Sequence, residues 1–218
     1  MRSREIEEYK RKLFLNERQK EILIGLILGD GHLEKLYTPA FGRLKVEQSH
    51  KRKDYVDWLY NEFRNWVRSK PKAKVKEVWN KIYQNYGFLT YGHRLLGEFQ
   101  EEFYRKRKKI IPNDLEKNLT PLGLAVWFMD DGSIKSKKHK GFFLNVQDFK
   151  KSDVRELQRI LKNKFSILSS TRKDGKGEQI YLGGESAEKF IGIIEPYVIS
   201  SMRYKIPRVL RLTELPKK

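Results

Sequence analysis

Two aspartates stand at the ends of apolar, helix-like stretches, where a negative charge is unfavourable. Asp30 ends the uncharged run in IGLILGDGHL, and Asp131 ends LGLAVWFMDDG. Because the C-terminal end of a helix carries partial negative charge, a carboxylate there is disfavoured by roughly 0.3–1 kcal/mol. Gly31 and Gly132 already supply the helix stop, so neither carboxylate is needed as a cap. A single Asp-Gly pair is most simply a turn, but its recurrence at equivalent positions favours shared chemistry.

The chemistry that suits this pair of carboxylates is the binding of a divalent cation. Both helices contain small residues that would let their backbones approach closely: Gly25, Gly29, Gly123 and Ala125. If the two helices pack together, their aspartates repel each other unless a cation lies between them. Mg²⁺ is typically held by one or two carboxylates together with waters and a substrate phosphate. We therefore expect Mg²⁺ and phosphodiester chemistry, with Mn²⁺ or Ca²⁺ able to replace Mg²⁺ in binding.

Asp130, which precedes Asp131, is expected to contribute its backbone rather than its side chain. Counting back from the glycine aligns Asp131 with Asp30, and Asp130 with Gly29. Successive helical residues point about 100° apart, so only one of the neighbouring aspartates shares the orientation of Asp30. Gly29 and Asp130 are therefore predicted to offer backbone carbonyl oxygens to the metal.

The surroundings of the two aspartates recur in the same order. Each aspartate is followed by a glutamine and, much later, by a lysine shortly before a proline. The second copies follow the first by 101, 99 and 96 residues. The three pairs are Asp30 and Asp131, Gln48 and Gln147, and Lys109 and Lys205. An internal repeat of this kind determines the architecture, so the two halves are expected to fold alike.

Each half reads as a buried helix, extended segments, an amphipathic helix, further strands and a last helix. Asn16 with Gln19 forms a capping-box-like start for the first buried helix, and Thr120 before Pro121 starts the second. The predicted segments are strands over 32–36 and 41–48 with a helix over 54–67, and strands over 133–137 and 142–147 with a helix over 152–165. The fold class is therefore predicted as α+β, with two pseudo-symmetric αββαββα repeats.

The chain is predicted to divide into an N-terminal repeat, 1–104, and a C-terminal repeat, 119–218. A basic linker, 105–118, joins them, with the sequence RKRKKIIPNDLEKN. For its first four residues, a solvated segment or a nuclear-import signal is an equally reasonable interpretation. Lys109 differs from them because it has a counterpart in the second repeat.

Composition limits the classes of partner. The 218 residues carry 47 Lys and Arg against 28 Asp and Glu, a net charge of +19 that is spread along the chain. This balance favours a folded protein with a polyanionic partner. There is no cysteine, which excludes disulfides, thiolate nucleophiles and Cys-based zinc sites. The four histidines occur singly, so the i,i+4 zinc pair is absent.

A membrane partner is not expected. The sequence has no apolar run of about 18 residues and no signal-peptide pattern. We therefore expect an intracellular protein, in the cytoplasm or an organelle of its host.

The two apolar segments that end in Asp-Gly carry a family resemblance. LIGLILGDG (Leu23 to Gly31) and LAVWFMDDG (Leu124 to Gly132) resemble the two copies of the LAGLIDADG motif. From about residue 16 to residue 207, the chain resembles a single-chain, two-repeat LAGLIDADG homing endonuclease. It departs from the motif's letters at the two positions before each final Asp-Gly, but the final acid is present in both copies. Two competent sites are therefore expected.

The resemblance implies a monomeric, intron-encoded, site-specific DNA endonuclease. The motif helices would form the interface between the halves, and an antiparallel sheet from each half would form a saddle over a long double-stranded DNA target. Each motif aspartate would bind metal and cut one strand across the minor groove, leaving 3′ overhangs. The metal ligands predicted in this way, together with the carbonyls proposed above, are Asp30, Asp131, Gly29 and Asp130.

The resemblance also assigns roles to the repeated glutamines and lysines. The glutamines match the polar residue that orients solvent near the scissile phosphate. The lysines match active-site lysines that stabilise charge on the phosphate or help deprotonate water. Taken singly, the glutamines are also ordinary strand-end residues and the lysines ordinary surface residues. The predicted catalytic set is Asp30, Asp131, Gln48, Gln147, Lys109 and Lys205.

DNA would be read by basic side chains on the strands and turns. Alternate residues of a strand share one face, as the lysines of KAKVK do, and a two-stranded ribbon fits the major groove. Any one of these cations is equally well a solvated surface charge, but as a set they favour DNA. The predicted DNA-binding residues are Lys35, Arg43, Lys45, Lys72, Lys74, Lys76, Lys135, Lys137, Lys138, Lys140, Arg172, Lys173 and Lys176.

Two alternatives stay open on the sequence. An intron maturase or a non-cleaving binder of the same fold would bind RNA or DNA tightly without cutting. A basic structural protein would bind nucleic acid without sequence preference.

Overall fold

The computed structural model describes residues 4–36, 40–136, 138–175 and 177–211. The Cα positions group into two compact units, Met1–Tyr104 and Arg105–Lys218. Each unit contains a four-stranded antiparallel sheet with helices packed on one face. Among the described residues, no helix combines the length and the apolar character needed to cross a membrane.

The first unit begins with a short helix that the sequence prediction did not include. Its sheet has the strand order β1-β2-β4-β3. Short 3₁₀ turns cover His50–Arg52 and Arg64–Trp66. Its elements are α1 (Arg4–Arg11), α2 (Glu17–Leu28), β1 (His32–Lys35), β2 (Gly42–Ser49), α3 (Lys53–Glu62), β3 (Lys72–Val78), β4 (Lys81–Leu89) and α4 (Arg94–Phe103).

The second unit repeats this order after a short hairpin at the junction, formed by β5 (Tyr104–Arg105) and β6 (Lys108–Lys109). Its sheet has the order β7-β8-β10-β9, which matches that of the first unit. The predicted αββαββα pattern and the α+β class are confirmed. The remaining elements are α5 (Leu115–Asn118), α6 (Pro121–Asp131), β7 (Gly132–Ile134), β8 (Phe142–Asn145), α7 (Lys151–Phe165), β9 (Ser170–Asp174), β10 (Gly177–Leu182), α8 (Gly184–Ile194) and 3₁₀ turns at Glu195–Tyr197, Ser200–Lys205 and Arg208–Leu210.

The segment 105–118, predicted as a linker, contains folded elements. It includes β6 and α5, and Leu115 at the start of α5 is buried. The segment is grouped with the second compact unit. The division of the chain into two repeat domains stays a prediction.

The two motif helices begin where their capping residues predict. In α2, the backbone amide of Gln19 donates to the side chain of Asn16 at 2.8 Å, and that of Asn16 donates to Gln19 Oε1 at 3.2 Å. In α6, the Gly123 amide donates to the Thr120 hydroxyl at 3.2 Å. The residues over 22–28 and 122–129 are buried without exception, so both helices are surrounded by protein.

Helix α3 is shorter than predicted. It was expected over 54–67 but ends at Glu62. The backbone carbonyl of Trp66 accepts a hydrogen bond from the Tyr91 amide at 2.7 Å, and Val67 pairs with Thr90. The chain leaves the helix because these backbone groups join the strand region instead, and the indole of Trp66 is buried there.

Strand β2 shows how the first sheet separates its faces. Leu44, Val46 and Gln48 are buried, whereas Arg43 and Lys45, which alternate with them, are half-exposed. The first set faces the helices. We call the opposite side the open face of the sheet.

Candidate active site

Asp30 follows the C-cap residue of α2, Gly29, and is held by two side chains. Gln48 Nε2 donates to Asp30 Oδ2 at 2.9 Å, and Arg52 Nη1 approaches the same oxygen at 3.4 Å. Arg52 Nη1 also donates to Gln48 Oε1 at 2.8 Å. The Asp30 side chain is still 44% exposed, against 26% for Arg52. The carboxylate is therefore fixed in orientation but open to solvent.

The local chain path explains this cluster. Gln48 lies near the end of β2 on its buried face, and Arg52 ends the 3₁₀ turn that follows. Gly31, after Asp30, lets the chain turn sharply back, since a Cβ there would lie 2.7 Å from both the Cβ and the carbonyl oxygen of Leu26. Arg52 was not predicted from the sequence. The one feature that pointed to it is its position four residues after Gln48.

Asp131 is the last residue of α6, and its backbone is anchored from the second sheet. Asn145 Nδ2 donates to the Asp131 carbonyl oxygen at 2.7 Å. Gln179 Nε2 in turn donates to Asn145 Oδ1 at 2.7 Å. Gln179 is buried, and its Oε1 has no hydrogen-bond partner among the described residues. Neither Asn145 nor Gln179 was identified from the sequence.

Lys205 lies at the same helix end. It is only 6% exposed, and its Nζ donates to the Asp130 carbonyl oxygen at 2.6 Å. A cation is favourable at the negative end of a helix. Lys205 therefore neutralises part of the charge that the neighbouring Asp131 carboxylate adds. The Asp130 side chain is buried, and its carbonyl, predicted as a metal ligand, accepts this bond from the lysine.

Gln147 is not the structural counterpart of Gln48. His32 and Ser133 each lie two residues after their motif aspartate. His32 lies opposite Lys45 in the first sheet and Ser133 lies opposite Phe143 in the second, so the strand register makes position 146 the equivalent of Gln48. A shift of one residue moves a side chain to the other face. β8 ends at Asn145, and Gln147 Nε2 donates to Asp174 Oδ2 at 3.3 Å. The equivalence inferred from the spacing of 99 is thus wrong by one residue, and a catalytic role for Gln147 stays a prediction.

The remaining predicted catalytic residue, Lys109, lies in β6 and is half-buried.

The metal ligands available at each helix end are hard oxygen donors. The described residues contain no group of three or more His, Cys, Asp or Glu that could hold a metal. Carboxylate and carbonyl oxygens are the donors that Mg²⁺ prefers, and Mg²⁺ takes few protein ligands and completes its shell with water and phosphate. The assignment of Asp30, Asp131 and the Gly29 and Asp130 carbonyls as its ligands stays a prediction, and the Asp130 carbonyl already accepts a hydrogen bond from Lys205.

Four of the predicted DNA-binding residues of the first unit share the open face: Arg43, Lys45, Lys72 and Lys74. Lys35 ends β1, Arg43 pairs with Glu34 at 2.6 Å, and Lys45 lies 3.8 Å from Glu47. A cleft of about 430 Å³ opens beside β2, β3 and β4. Sequence reasoning missed Lys10, Arg68 and Lys70 in its lining. The predicted residues that line the cleft are Arg43, Lys72 and Lys74.

In the second unit, two of the predicted cations lie over aromatic rings. The Arg172 guanidinium lies 4.5 Å from the centre of the Phe143 ring, and Lys135 Nζ lies 5.4 Å from that of Tyr181. Cation–π contacts of this kind restrain the long side chains. Lys140 forms an ion pair with Glu188, and Lys138 and Lys173 are exposed. Lys137, Lys176 and the side chain of Lys76 lie outside the described residues.

A protein-family model matches this architecture. Residues 20–190, which contain both Asp-Gly helices, match the model of the LAGLIDADG DNA endonuclease family. The chain belongs to that family.

Relatives of this LAGLIDADG protein agree with the match. It is 33% identical over 212 residues to a probable intron-encoded endonuclease 1 of Wickerhamomyces canadensis, covering 94% of this chain and 90% of the relative. It is 30% identical to the cytochrome b mRNA maturase bI2 of Debaryomyces hansenii, covering 88% of this chain and 74% of the relative. Among solved structures, the homing endonuclease I-WcaI bound to its DNA recognition sequence matches with a TM-score of 0.88 and 32% identity, covering 94% of this chain and 92% of that one.

Proposed function

We propose that this protein is a site-specific, divalent-metal-dependent endonuclease that binds a long duplex DNA target and cuts both strands. The observation that carries the proposal is the solvent-open Asp30 carboxylate held by Gln48 and Arg52 at the end of a LAGLIDADG helix. The relative named as an intron-encoded endonuclease and the structure of I-WcaI with its recognition DNA support it.

Both the family and the oxygen donors at the helix ends support dependence on a divalent metal. LAGLIDADG nucleases are metal-dependent, and a variant of I-DmoI with the same fold was solved with target DNA in the presence of manganese. A bound divalent ion supplies the charge that polarises the scissile phosphate and lowers the pKa of water. We infer Mg²⁺ as the working ion because the available ligands are carboxylate and carbonyl oxygens.

Each unit would supply one acid, and each acid would serve one strand, leaving 3′ overhangs. In the first unit, Gln48 and Arg52 hold the Asp30 carboxylate in one orientation, and the guanidinium places positive charge where a phosphate would approach. In the second unit, Asn145 and Lys205 hold the backbone that carries Asp131. The two acids thus have different supports.

The direct test is cleavage of plasmid DNA that carries the intron-free allele of the gene flanking this reading frame. We expect linear product with Mg²⁺, none with EDTA, and binding without cutting in Ca²⁺. Size-exclusion chromatography with light scattering should give a monomer of 26.1 kDa. No linear product in Mg²⁺ or Mn²⁺ would argue against the nuclease.

The relative named as a cytochrome b mRNA maturase favours a second candidate function, assistance of RNA splicing. Under that proposal, the protein binds its intron RNA and raises the rate of splicing. The two functions separate cleanly in variants of the acids, because cleavage needs the carboxylates and RNA binding does not. Splicing that is unaffected by the protein would remove this candidate.

A further inference from the structure

The hairpin of β3 and β4 continues beyond the rest of its sheet. β2 pairs with β4 only as far as Ser49 opposite Asn85. Beyond that point, β4 pairs with β3 alone, through four residue pairs that end at Val78 opposite Lys81. At about 3.3 Å per residue, they form a ribbon roughly 13 Å long. We call residues 75–84 the distal ribbon. It leaves the sheet at the end that carries Gln48, and a two-stranded ribbon of this kind fits a DNA groove.

The distal ribbon ends in a two-residue turn of unfavourable composition. Trp79 and Asn80 have φ values of 53° and 57°, and a type I′ turn requires positive φ at both positions. Such turns favour Asn-Gly, and a bulky residue with positive φ is an outlier. The indole is kept at a position where asparagine or glycine would be less strained, which points to a function for the side chain.

The exposed apolar surface of this unit is concentrated on the same ribbon. Trp79 is 94% exposed, Ile82 71% and Val75 67%. The other tryptophans differ, since Trp66 and Trp127 are buried and Trp58 is half-buried. In the second unit, β9 and β10 extend only two residue pairs, those of Gly177 and Glu178, beyond the last contact with β8. The described residues of that unit therefore hold no comparable ribbon.

The charge of the hairpin indicates what the apolar tip contacts. The sequence of β3 and β4 contains four lysines and one acid, Glu77. A cationic stem with an apolar tip is complementary to nucleic acid, because cations bind phosphates while apolar side chains pack against bases. An apolar protein surface would not require the lysines. Duplex DNA is therefore the occupant that the hairpin favours.

We propose that Trp79 packs its indole against bases of the DNA target and is a specificity-determining residue. The inference rests on the proposed endonuclease function and adds a contact that the basic side chains do not provide. Because the described residues of the second unit hold no comparable ribbon, we expect the contact to affect one half of the target.

The test is selection of binding sequences from a library of randomised duplexes in Ca²⁺, with the full chain. Trp79→Asn keeps the turn, since asparagine accepts positive φ. Phe14→Ala is the matched control, because Phe14 is an exposed aromatic residue (73%) outside the sheet.

We expect Trp79→Asn to bind the sequence enriched by the wild type about tenfold more weakly. It should lose sequence preference over a short block of adjacent base pairs in one half-site, with an unfolding temperature no lower than that of the wild type. Phe14→Ala should retain both affinity and preference.

Fluorescence gives a second readout. Duplex DNA should protect wild-type tryptophan emission from acrylamide quenching, and this protection should be absent in Trp79→Asn. An unchanged affinity and enriched sequence in Trp79→Asn would overturn the proposal, as would an equal loss of affinity for random duplex. Protection by single-stranded RNA but not by duplex DNA would also overturn it. Failure of the wild type to enrich any sequence would overturn the endonuclease proposal, and this contact with it.

Discussion

The residue that completes the first site is Arg52, which contacts both Asp30 and Gln48. One guanidinium nitrogen lies 2.8 Å from Gln48 Oε1 and 3.4 Å from Asp30 Oδ2. It therefore restrains the amide that holds the carboxylate, and it brings positive charge to a surface where a phosphate would bind. Without Arg52, the Gln48 amide would hold the Asp30 carboxylate less firmly.

Replacing Arg52 tests this arrangement. We expect Arg52→Ala to lower the single-turnover cleavage rate by a factor on the order of 10²–10³, by analogy with the loss of one charge-stabilising donor. Arg52→Lys should recover little, because a strongly hydrated ammonium on a flexible stem is less pre-organised than a planar guanidinium. Arg64→Ala, which removes a cation just after α3, should cleave normally. A wild-type rate in Arg52→Ala, measured with enzyme in excess over bound DNA, would show that Arg52 has no part in the reaction.

At the scale of secondary-structure elements, the sequence predicts where α2 and α6 begin better than where α3 ends. The capping residues Asn16 and Thr120 mark the starts of α2 and α6 because the caps are local hydrogen bonds. The end of α3 depends instead on Trp66 and Tyr91, which meet only in the folded sheet. The register of β7 against β8 is likewise set in the folded sheet, and it places Gln147 one residue beyond the position equivalent to Gln48.

Helix α4 carries a titratable cap that makes stability depend on pH. The His93 Nδ1 accepts a hydrogen bond from the Leu95 amide at 3.2 Å, which requires a neutral ring. Burial lowers the pKa of the His93 imidazole below its ordinary value. The unfolded chain then binds a proton at pH values where the folded chain does not. The free energy of unfolding should therefore fall as the pH decreases below about 6.5.

The measurement is urea denaturation at several pH values between neutrality and the acidic side of this window. His93→Asn is the control, because asparagine caps helices without titrating. The wild type should lose more stability on acidification than His93→Asn does. Identical pH profiles of the two proteins would contradict the role of His93 as a neutral cap.

At the scale of the whole molecule, the parts of the site that repeat were predictable and the parts that differ were not. The two Asp-Gly helix ends and Lys205 were identified as candidates because each has a counterpart in the other repeat. Asn145 and Gln179 were missed because they support Asp131 from the second sheet, while Gln48 and Arg52 support Asp30 in the first. The two helix ends are thus supported by different side chains in the two units.

The net charge of +19 predicts binding that weakens steeply with salt. The logarithm of the binding constant should fall linearly with that of the salt concentration, with a slope of about −0.9 for each phosphate contacted. Arg68→Ala with Lys70→Ala, in the basic cleft, should reduce the slope by about two. Lys162→Ala with Lys189→Ala, on α7 and α8, should leave it unchanged. Equal slopes for the wild type and the cleft variant would exclude the cleft from the DNA contact.

We propose that Asp30 and Asp131 each catalyse cutting of one DNA strand, and strand-resolved cleavage tests this claim most directly. Asp30→Asn and Asp131→Asn are incubated with Mg²⁺ and a target duplex labelled on either strand, with Asp148→Asn as an exposed control outside the site. Neither site variant should produce a double-strand cut, although both should still bind the duplex, and any remaining nick should lie in one strand. A double-strand product at the wild-type rate from either site variant would contradict the claim.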